Sequence, residues 1–290
     1  MSEQNLLFEQ THNNFVSWDF KEADTKEFTH CMHTYPAMMI PQVARRLIYL
    51  YGKNAKTILD PFMGSGTSLV EASLTKHIKE AYGFDLNPLA VLIAKVKTTP
   101  LDTNILENEL NKIINSKEHN GLPKFKNLDF WFKTEVIDKL ATLKTAINKI
   151  TNKDVKDFFQ VVFSETVRNV SNTRKGEFKL YRMNKENIDK HNPDVFAEFT
   201  KIANKNISGM EEYTQSNNST KINYFLSSTM NQLPIKENSV DLLVTSPPYG
   251  DSKTTVAYGQ FSRLALQWLD YDKANVLDKS LLELVKIWDK

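Results

Sequence analysis

The chain has 290 residues, of which 41% are hydrophobic and 25% are charged, and its formal net charge at pH 7 is +2. This is the composition of an ordinary globular protein, and the near-neutral charge neither demands nor excludes a polyanionic partner. The single cysteine, Cys31, excludes an intramolecular disulfide and a multi-cysteine zinc site. No apolar run approaches the ~20 residues of a membrane span, and the N-terminus lacks a signal-peptide pattern. We therefore expect a cytoplasmic protein without a metal site.

Residues 1–100 alternate between strand and helix patterns, with a glycine-rich turn after the first strand. Alternation at this spacing predicts a parallel sheet with helices packed against it. The predicted elements, in chain order, are a helix over 38–51, a strand over 57–60, a helix over 67–78, a strand over 81–85 and a helix over 88–96.

Residues 101–215 follow a different pattern and are interpreted as a helical insertion. Val136, Leu140 and Leu143 recur at steps of four and three residues, which is the period of an α-helix. Residues 216–290 return to α/β and are expected to complete the same domain as the first block. They contain predicted strands over 222–226 and 240–244, followed by helical patterns over 261–269 and 281–288.

The stretch TILDPFMGSGT predicts a strand, a glycine-rich turn and the start of a helix. Gly64 and Gly66 allow positive φ and let a ligand approach the backbone, and the first N–H groups of the helix favour an anionic group. Asp60 ends this strand and Asp85 ends the next, where an acid can accept two ribose hydroxyls. A nucleoside ligand is therefore expected. A phosphate-binding loop is disfavoured because no lysine follows Gly66, and the spacing of a dinucleotide site also fails.

The later stretch VDLLVTSPPY predicts a buried strand that ends on two prolines and an aromatic ring. Prolines end strands routinely, so this motif alone indicates only a strand followed by an extended turn. The glycine-rich motif upstream favours a functional role for this stretch over a purely structural one.

Together, DPFMGSGT, GFDLNPLA and TSPPY resemble the motifs of the amino-group DNA methyltransferases, which methylate cytosine N4 or adenine N6 with S-adenosylmethionine. HTYPAMMIPQVARRLI (33–48) and the segment 163–183 extend this resemblance over most of the chain. It implies a Rossmann-like methyltransferase sheet, S-adenosylmethionine as cofactor and double-stranded DNA as substrate. The cofactor-binding residues that it implies are His33, Tyr35, Asp60, Pro61, Phe62, Gly64, Gly66, Thr67, Asp85, Asn87 and Ser228.

The catalytic residues that the resemblance implies are Ser246, Pro247, Pro248 and Tyr249. An exocyclic amino group is a poor nucleophile because its lone pair is delocalised into the base, so catalysis consists mainly of holding and aligning it. The Ser246 hydroxyl and the Pro247 carbonyl are the expected acceptors, and Tyr249 is expected to stack on a base that has left the duplex. Methylation at cytosine C5 is excluded because the single cysteine follows a histidine, not a proline.

Serine at the first position of SPPY resembles the cytosine-N4 members, so cytosine-N4 methylation within a restriction–modification system is expected. Adenine-N6 methylation is the close alternative. An RNA guanine-N2 enzyme is disfavoured because there is no room before residue 35 for a separate RNA-binding domain. From a different class, a non-catalytic cofactor- or DNA-binding subunit stays open.

One position departs from the family pattern. Ser227 and Ser228 stand where related enzymes carry Gly-Asp, whose aspartate contacts the adenine of the cofactor. A serine still accepts a hydrogen bond, but the bond loses its charge assistance and is weaker by roughly half. Cofactor affinity is expected to be reduced, or Asn231 serves instead.

The segment 171–190 mixes basic side chains with aromatic ones, a pattern that suits a phosphate backbone. The DNA contacts expected from it are Arg174, Lys175, Lys179 and Arg182. The aromatic cluster Phe130, Trp131 and Phe132 is expected in the hydrophobic core, and His30 with His33 is expected to be structural.

Only four strands are predicted, whereas the resemblance implies a sheet of seven in the spatial order 3-2-1-4-5-7-6. In the implied order, strand 240–244 would lie at an open apolar edge, which folded proteins avoid. A strand buried on both faces needs neighbours. A second polypeptide that supplies the remaining strands and target recognition is therefore expected, and a truncated product is the rival explanation.

Overall fold

The computed structural model of the chain describes residues 17–177, 179–216, 219–229, 233–247 and 258–271. The roles predicted for Asn231, Pro248 and Tyr249 and the helix predicted over 281–288 lie outside the described residues. None of the described helices combines the length and the apolar character that a membrane crossing requires.

The sheet consists of four parallel strands in the spatial order third, second, first, fourth. Helices before, between and after the strands pack around it, which confirms the predicted α/β fold with a partial, Rossmann-like sheet. The strands are β1 (Thr57–Asp60), β2 (Glu80–Asp85), β3 (Lys221–Leu226) and β4 (Leu242–Leu243).

The helices follow the predicted pattern, with the longest ones in the insertion. A short 3-10 helix over Phe28–Cys31 precedes them. In chain order they are α1 (Pro41–Tyr51), α2 (Thr67–Leu74), α3 (Pro88–Lys97), α4 (Thr103–Ile114), α5 (Leu128–Trp131), α6 (Thr134–Asn148), α7 (Lys153–Val170), α8 (Lys185–Lys190), α9 (Val195–Gln215) and α10 (Tyr258–Trp268).

Two helices are shorter than predicted, each for a local reason. α1 begins at Pro41 rather than at residue 38, since proline lacks a backbone N–H and its fixed φ suits the first helical position. α2 ends at Leu74 rather than at residue 78, because Thr75 takes an extended conformation with φ −92° and ψ 102°.

β4 is also shorter than predicted, because only Leu242 and Leu243 pair with β1. The preceding Asp241 contacts the start of β1 in two ways: its N–H donates to the carbonyl of Thr57 (3.1 Å), and its Oδ2 accepts hydrogen bonds from the backbone N–H groups of Lys56 (2.8 Å) and Thr57 (2.9 Å). The outer edge of β4 has no strand partner within the described part of the chain, and Leu243 is 55% exposed.

One hydrophobic cluster joins the helices of the insertion to those that pack on the sheet. It includes Leu89 of α3, Leu140 of α6, Phe159 of α7, Met210 of α9 and Trp268 of α10. The helices of 101–215 therefore share a core with the rest of the molecule, and the domain boundaries at 100 and 215 stay a prediction.

Candidate active site

The two acids predicted at strand ends lie at the same edge of the sheet. Asp60 is the last residue of β1, and Asp85 is the last residue of the neighbouring β2. The turn after β1 lies against β2: the N–H of Met63 donates to the carbonyl of Phe84 (2.9 Å), and the N–H of Gly64 donates to Oδ2 of Asp85 (3.0 Å). Both acids and the glycine-rich turn thus form one cluster, as the sequence predicted.

Asp60 is 3% exposed, and three donors of the chain occupy its carboxylate. Oδ1 accepts from the Phe62 N–H (3.0 Å) and the Thr245 hydroxyl (2.7 Å), while Oδ2 accepts from the Ser68 hydroxyl. A carboxylate has about four lone-pair sites, so these bonds leave about one for a ligand. Burial raises the pKa of Asp60, and the three hydrogen bonds oppose that rise. The hydrogen bonds of Asp60 therefore link β1 to α2 and to the segment after β4.

Asp85 is half-buried as a residue, whereas Asp60 is buried. Oδ2 accepts from Gly64 (3.0 Å), and Oδ1 accepts from the backbone N–H of Asn87 (2.7 Å). Burial raises the pKa of Asp85 to about 6, backbone hydrogen bonds oppose the rise, and the nearby Asp60 adds to it. When ionised, this carboxylate has the position and the acceptor chemistry for ribose hydroxyls.

The two glycines of the turn differ in what surrounds them. Gly64 has φ +51°, and the nearest atom to a Cβ placed there is Cε1 of Tyr35, at 3.9 Å. Gly66 has φ +84°, and a Cβ there would lie 2.7 Å from the Cβ of Ala94 on α3. Gly66 is thus required by helix packing, whereas Gly64 leaves free space beside Tyr35.

Tyr35 and Asn87 are buried and joined to each other and to α10. The Asn87 side chain caps α3 by accepting from the Leu89 N–H (3.0 Å), and its Nδ2 lies 3.0 Å from the Tyr35 hydroxyl and 2.7 Å from the Ser262 hydroxyl. The Tyr35 ring stacks on Tyr258 with centroids 6.0 Å apart. Burial raises the pKa of Tyr35, so its hydroxyl stays neutral. The predicted cofactor residue Asn87 thus has its amide engaged within the chain.

His33 is buried with φ +65°, and neither ring nitrogen has a hydrogen-bond partner among the described residues. Its ring makes an edge contact with Phe261, with centroids 6.0 Å apart. Burial lowers the pKa of His33 to about 3, so the ring is neutral. His30 instead bonds to Oε1 of Glu71 (2.8 Å), and no metal-binding cluster is found in the described part of the chain.

The remaining predicted cofactor residues surround the same turn. Thr67 is the buried first residue of α2, and Pro61 and Phe62 are half-buried in the turn. Ser227 and Ser228 follow β3, and the Ser227 N–H donates to the carbonyl of Asp85 (3.1 Å). All described members of the predicted set except His33 thus lie in, or directly contact, the turns after β1, β2 and β3.

The predicted catalytic segment begins beside this cluster. Val244 donates its N–H to the carbonyl of Leu59 (3.0 Å), and Thr245 bonds to Asp60. Ser246 is half-buried and Pro247 is exposed. The carboxyl ends of β1 and β4 therefore converge, and Ser246 follows directly from that junction.

The basic hairpin, residues 173–182, carries the predicted DNA contacts. An antiparallel bridge joins Thr173 to Arg182, and the N–H of Arg174 donates to the carbonyl of Tyr181 (2.8 Å). Arg174 and Lys175 are exposed, Lys179 and Arg182 are partly exposed. None of these four cations forms an ion pair with a carboxylate among the described residues.

The expectation that all of Phe130, Trp131 and Phe132 lie in the core is wrong for Phe130, which is 45% exposed. α5 is a single turn, so its side chains cannot all face the core. The guanidinium of Arg182 lies 4.3 Å from the centre of the Phe130 ring and donates to the Phe130 carbonyl (2.8 Å). Phe130 therefore supports the basic hairpin, while Phe132 is buried as predicted.

Helix α10 connects the hairpin to the glycine-rich turn. Gln260 accepts from the Leu180 N–H of the hairpin (3.2 Å), and Phe261 lies 4.1 Å below the Arg168 guanidinium, which donates to the Glu177 carbonyl. Sequence analysis missed this role of α10. It also missed Ser68 and Thr245 as partners of Asp60, although Thr245 lies within the TSPPY motif.

The residues present fit S-adenosylmethionine, which the resemblance implies. Gly64 leaves a space that a side chain would fill, Asp85 offers a carboxylate at its edge, and His33 offers unpartnered buried nitrogens. Such orphaned buried groups are rare unless a ligand or water satisfies them.

Comparisons with known proteins identify related sequences. A family model described as DNA methylase matches residues 4–96. Type II methyltransferase M.MvaI of Kocuria varians is 45% identical over 304 residues, which cover 95% of this chain and 66% of the relative. Type II methyltransferase M.MjaII of Methanocaldococcus jannaschii is 31% identical over 105 residues, which cover 34% of this chain and 19% of the relative. The chain thus spans just under two thirds of the first relative and about a fifth of the second. No solved structure matches.

The relative from Kocuria varians aligns with nearly all of this chain within one polypeptide, which gives no support to a second polypeptide. The same alignment includes the glycine-rich turn, the helical insertion and the TSPPY motif. With the motifs in the predicted order on the predicted parallel sheet, the chain belongs to the N6- and N4-type amino-group DNA methyltransferases, a family whose methyl donor is S-adenosylmethionine.

Proposed function

We propose that the chain methylates the N4 amino group of cytosine in double-stranded DNA, as the modification enzyme of a restriction–modification system. The observation that supports this most is that contacts on both sides of segment 248–257 reach the cofactor motif. On the N-terminal side Thr245 bonds to Asp60 (2.7 Å), and on the C-terminal side Tyr258 stacks on Tyr35. Thr245, the first residue of the TSPPY motif, and Tyr258, the first described residue after this segment, therefore both contact residues at the cofactor site.

The chain's part in the reaction is to hold the amino group in place. When bound, S-adenosylmethionine supplies an electrophilic methyl group that the amino nitrogen takes up. The Ser246 hydroxyl and the Pro247 carbonyl accept hydrogen bonds from the two N–H bonds and stabilise the positive charge that develops on nitrogen. Because proline fixes φ, the carbonyl acceptor needs little reorganisation. The role proposed for Pro248 is to restrict φ in the same motif, and the role proposed for Tyr249 is to stack on the extruded base.

The choice of cytosine over adenine rests on Ser246 at the first position of the SPPY motif. The test is mass spectrometry of nucleosides from DNA incubated with the chain and labelled S-adenosylmethionine. N4-methylcytosine is the expected product, and N6-methyladenine would overturn the choice of base. Absence of transfer by a chain that still binds the cofactor would favour a non-catalytic subunit.

The roles within the site are tested by two substitutions. Ser246→Ala should lower turnover roughly 100-fold with little change in the affinity for S-adenosylhomocysteine, because it removes an acceptor of the target amino group. Asp85→Ala should weaken that affinity and have the smaller effect on turnover at saturating cofactor. Equal effects of both substitutions on both measurements would refute this division.

We assign contact with the DNA backbone to the basic hairpin. Arg174, Lys175, Lys179 and Arg182 lie on it without carboxylate partners among the described residues, and α10 ties it to the cofactor turn. Cations left unpaired at a surface are available for phosphates, and each phosphate that they neutralise releases counterions. The salt dependence of binding is therefore the appropriate measurement.

The second polypeptide expected at the open edge of β4 rests on that edge alone, since the comparisons do not support it. Its test is methyl transfer by the chain alone and with added candidate subunits. Full activity of the chain alone would refute a required subunit, and activity in the mixture only would support it.

A further inference from the structure

Lys97, the last residue of α3, is a fully buried lysine without an acidic partner. Its side chain is 0% exposed, and the atoms within reach of Nζ are Oγ of Ser65 (3.4 Å) and Sδ of Met38 (4.0 Å). No carboxylate lies within ion-pair distance of it among the described residues. Lys95, on the same helix, instead bonds to Asp154 and Asp157, both at 2.7 Å.

Such a position is unfavourable for the folded chain on its own. Moving an ammonium out of water costs several kcal/mol unless an opposite charge compensates it. Burial lowers the pKa of Lys97 to about 8, so the group still carries its charge in most molecules at neutral pH. One long hydrogen bond to Ser65, a contact with the Met38 sulfur and the favourable but unbonded charge of Glu165 are poor compensation, which indicates that an anion completes this site.

Ser65 connects the buried ammonium to the glycine-rich turn. It lies between Gly64 and Gly66 and is 3% exposed. Because the ammonium can only donate, Ser65 Oγ accepts from Lys97, and the serine proton is left without an acceptor among the described residues. The serine hydroxyl can therefore donate a hydrogen bond to a ligand in the turn, and the lysine charge polarises that hydroxyl and strengthens the bond.

The surroundings of His33 also favour a negatively charged ligand. Its two ring nitrogens have no partner among the described residues. After burial, the causes that lower its pKa are the positive charges of Lys97, Lys205 and Arg168. Of these cations, Lys205 has an acidic partner, Glu165, at 3.4 Å.

We propose that Lys97, acting through Ser65 and together with His33, forms the recognition site for the carboxylate at the amino-acid end of the cofactor. This inference rests on the proposed function. It agrees with the order of groups along the turn, since Gly64 adjoins Ser65 on one side and bonds to Asp85, the acceptor assigned to the ribose, on the other.

The test compares two ligands by calorimetry: S-adenosylhomocysteine, and 5′-methylthioadenosine, which keeps the nucleoside and the thioether but lacks the amino-acid end. Lys97→Met should weaken S-adenosylhomocysteine roughly 10- to 100-fold, the value of a hydrogen-bonded charge, and leave 5′-methylthioadenosine unchanged. Ser65→Ala should show the same selectivity with a smaller loss. Lys95→Met, a matched change on the same helix, should not discriminate between the two ligands.

A thermal melt of the ligand-free chain separates this role from a structural one. Lys97→Met should melt at the same or a higher temperature, because it removes an uncompensated buried charge. Unchanged affinity for S-adenosylhomocysteine, or equal losses for both ligands together with a lower melting temperature, would overturn the inference and leave the proposed function intact. Failure of the unaltered chain to bind either compound would refute the proposed function and this inference with it.

Discussion

The two glycines of the cofactor turn should respond differently to the same substitution. Gly66→Ala places a Cβ 2.7 Å from the Cβ and 3.0 Å from the Cα of Ala94, at a φ of +84°. The left-handed conformation costs a residue with a Cβ roughly 1–2 kcal/mol, and overpacking against a helix adds about 1–3 kcal/mol. We expect Gly66→Ala to lower the free energy of unfolding by about 2–5 kcal/mol.

Gly64→Ala should have a smaller effect on stability and a larger one on the ligand. Its φ of +51° carries a similar backbone cost, roughly 1–2 kcal/mol, but the nearest atom to the new Cβ is Cε1 of Tyr35 at an ordinary contact distance of 3.9 Å. The methyl group instead enters the space assigned to the cofactor. We therefore expect affinity for S-adenosylhomocysteine to fall at least about tenfold, which corresponds to about 1.4 kcal/mol.

Urea denaturation of the ligand-free variants and calorimetric titration with S-adenosylhomocysteine measure the two effects separately. A Gly64→Ala chain that binds the ligand as the unaltered chain does would refute the position of the site. A Gly64→Ala chain that loses as much stability as Gly66→Ala would refute the assignment of Gly66 to helix packing.

Three further outcomes follow from the site. Burial raises the pKa of Asp85 to about 6, and only the ionised form accepts two hydroxyls, so affinity for S-adenosylhomocysteine should fall as pH drops through about 6. Asp85→Asn should remove this pH dependence. If the pH dependence persists in Asp85→Asn, another group causes it. Thr245→Val should lower the free energy of unfolding by about 1.5–3 kcal/mol in urea denaturation, since it removes a hydrogen bond to the buried Asp60, and no change would refute the junction of β1 and β4. Lys175→Ala should reduce the slope of log affinity for DNA against log salt concentration by about one. Lys190→Ala, which removes a lysine paired with a glutamate, should leave that slope unchanged. Equal slopes for all chains would refute the hairpin as the DNA contact.

Helix α10 contacts both the residues beside the cofactor turn and the basic hairpin. Its first residues contact Tyr35 and Asn87 beside the cofactor turn, while Gln260 and Phe261 hold the basic hairpin through Leu180 and Arg168. Positioning of the substrate relative to the cofactor depends on such rigid links, because small displacements of reacting groups are costly in rate.

Local features of the site were predictable because they depend on residues close together in the chain. The turn after β1 follows from glycines placed directly after a buried strand, and Asp85 follows from the end of the next strand. The order of the four strands also came from the resemblance, and the structure has it. Element ends were less accurate where a single residue decided them, as Pro41 does for the start of α1 and Thr75 does for the end of α2.

The sequence by itself determined the features that depend on short-range patterns: the parallel α/β sheet, the acids at its strand ends and the glycines of the turn. The tertiary structure alone decided the partners of those groups. Thr245 bonds to Asp60 across 185 residues, Ser262 bonds to Asn87 across 175 residues, and Lys97 is left buried beside Ser65. Helix and strand periods show which face of an element is buried, but which buried side chains meet depends on how distant elements pack, and no local pattern encodes that.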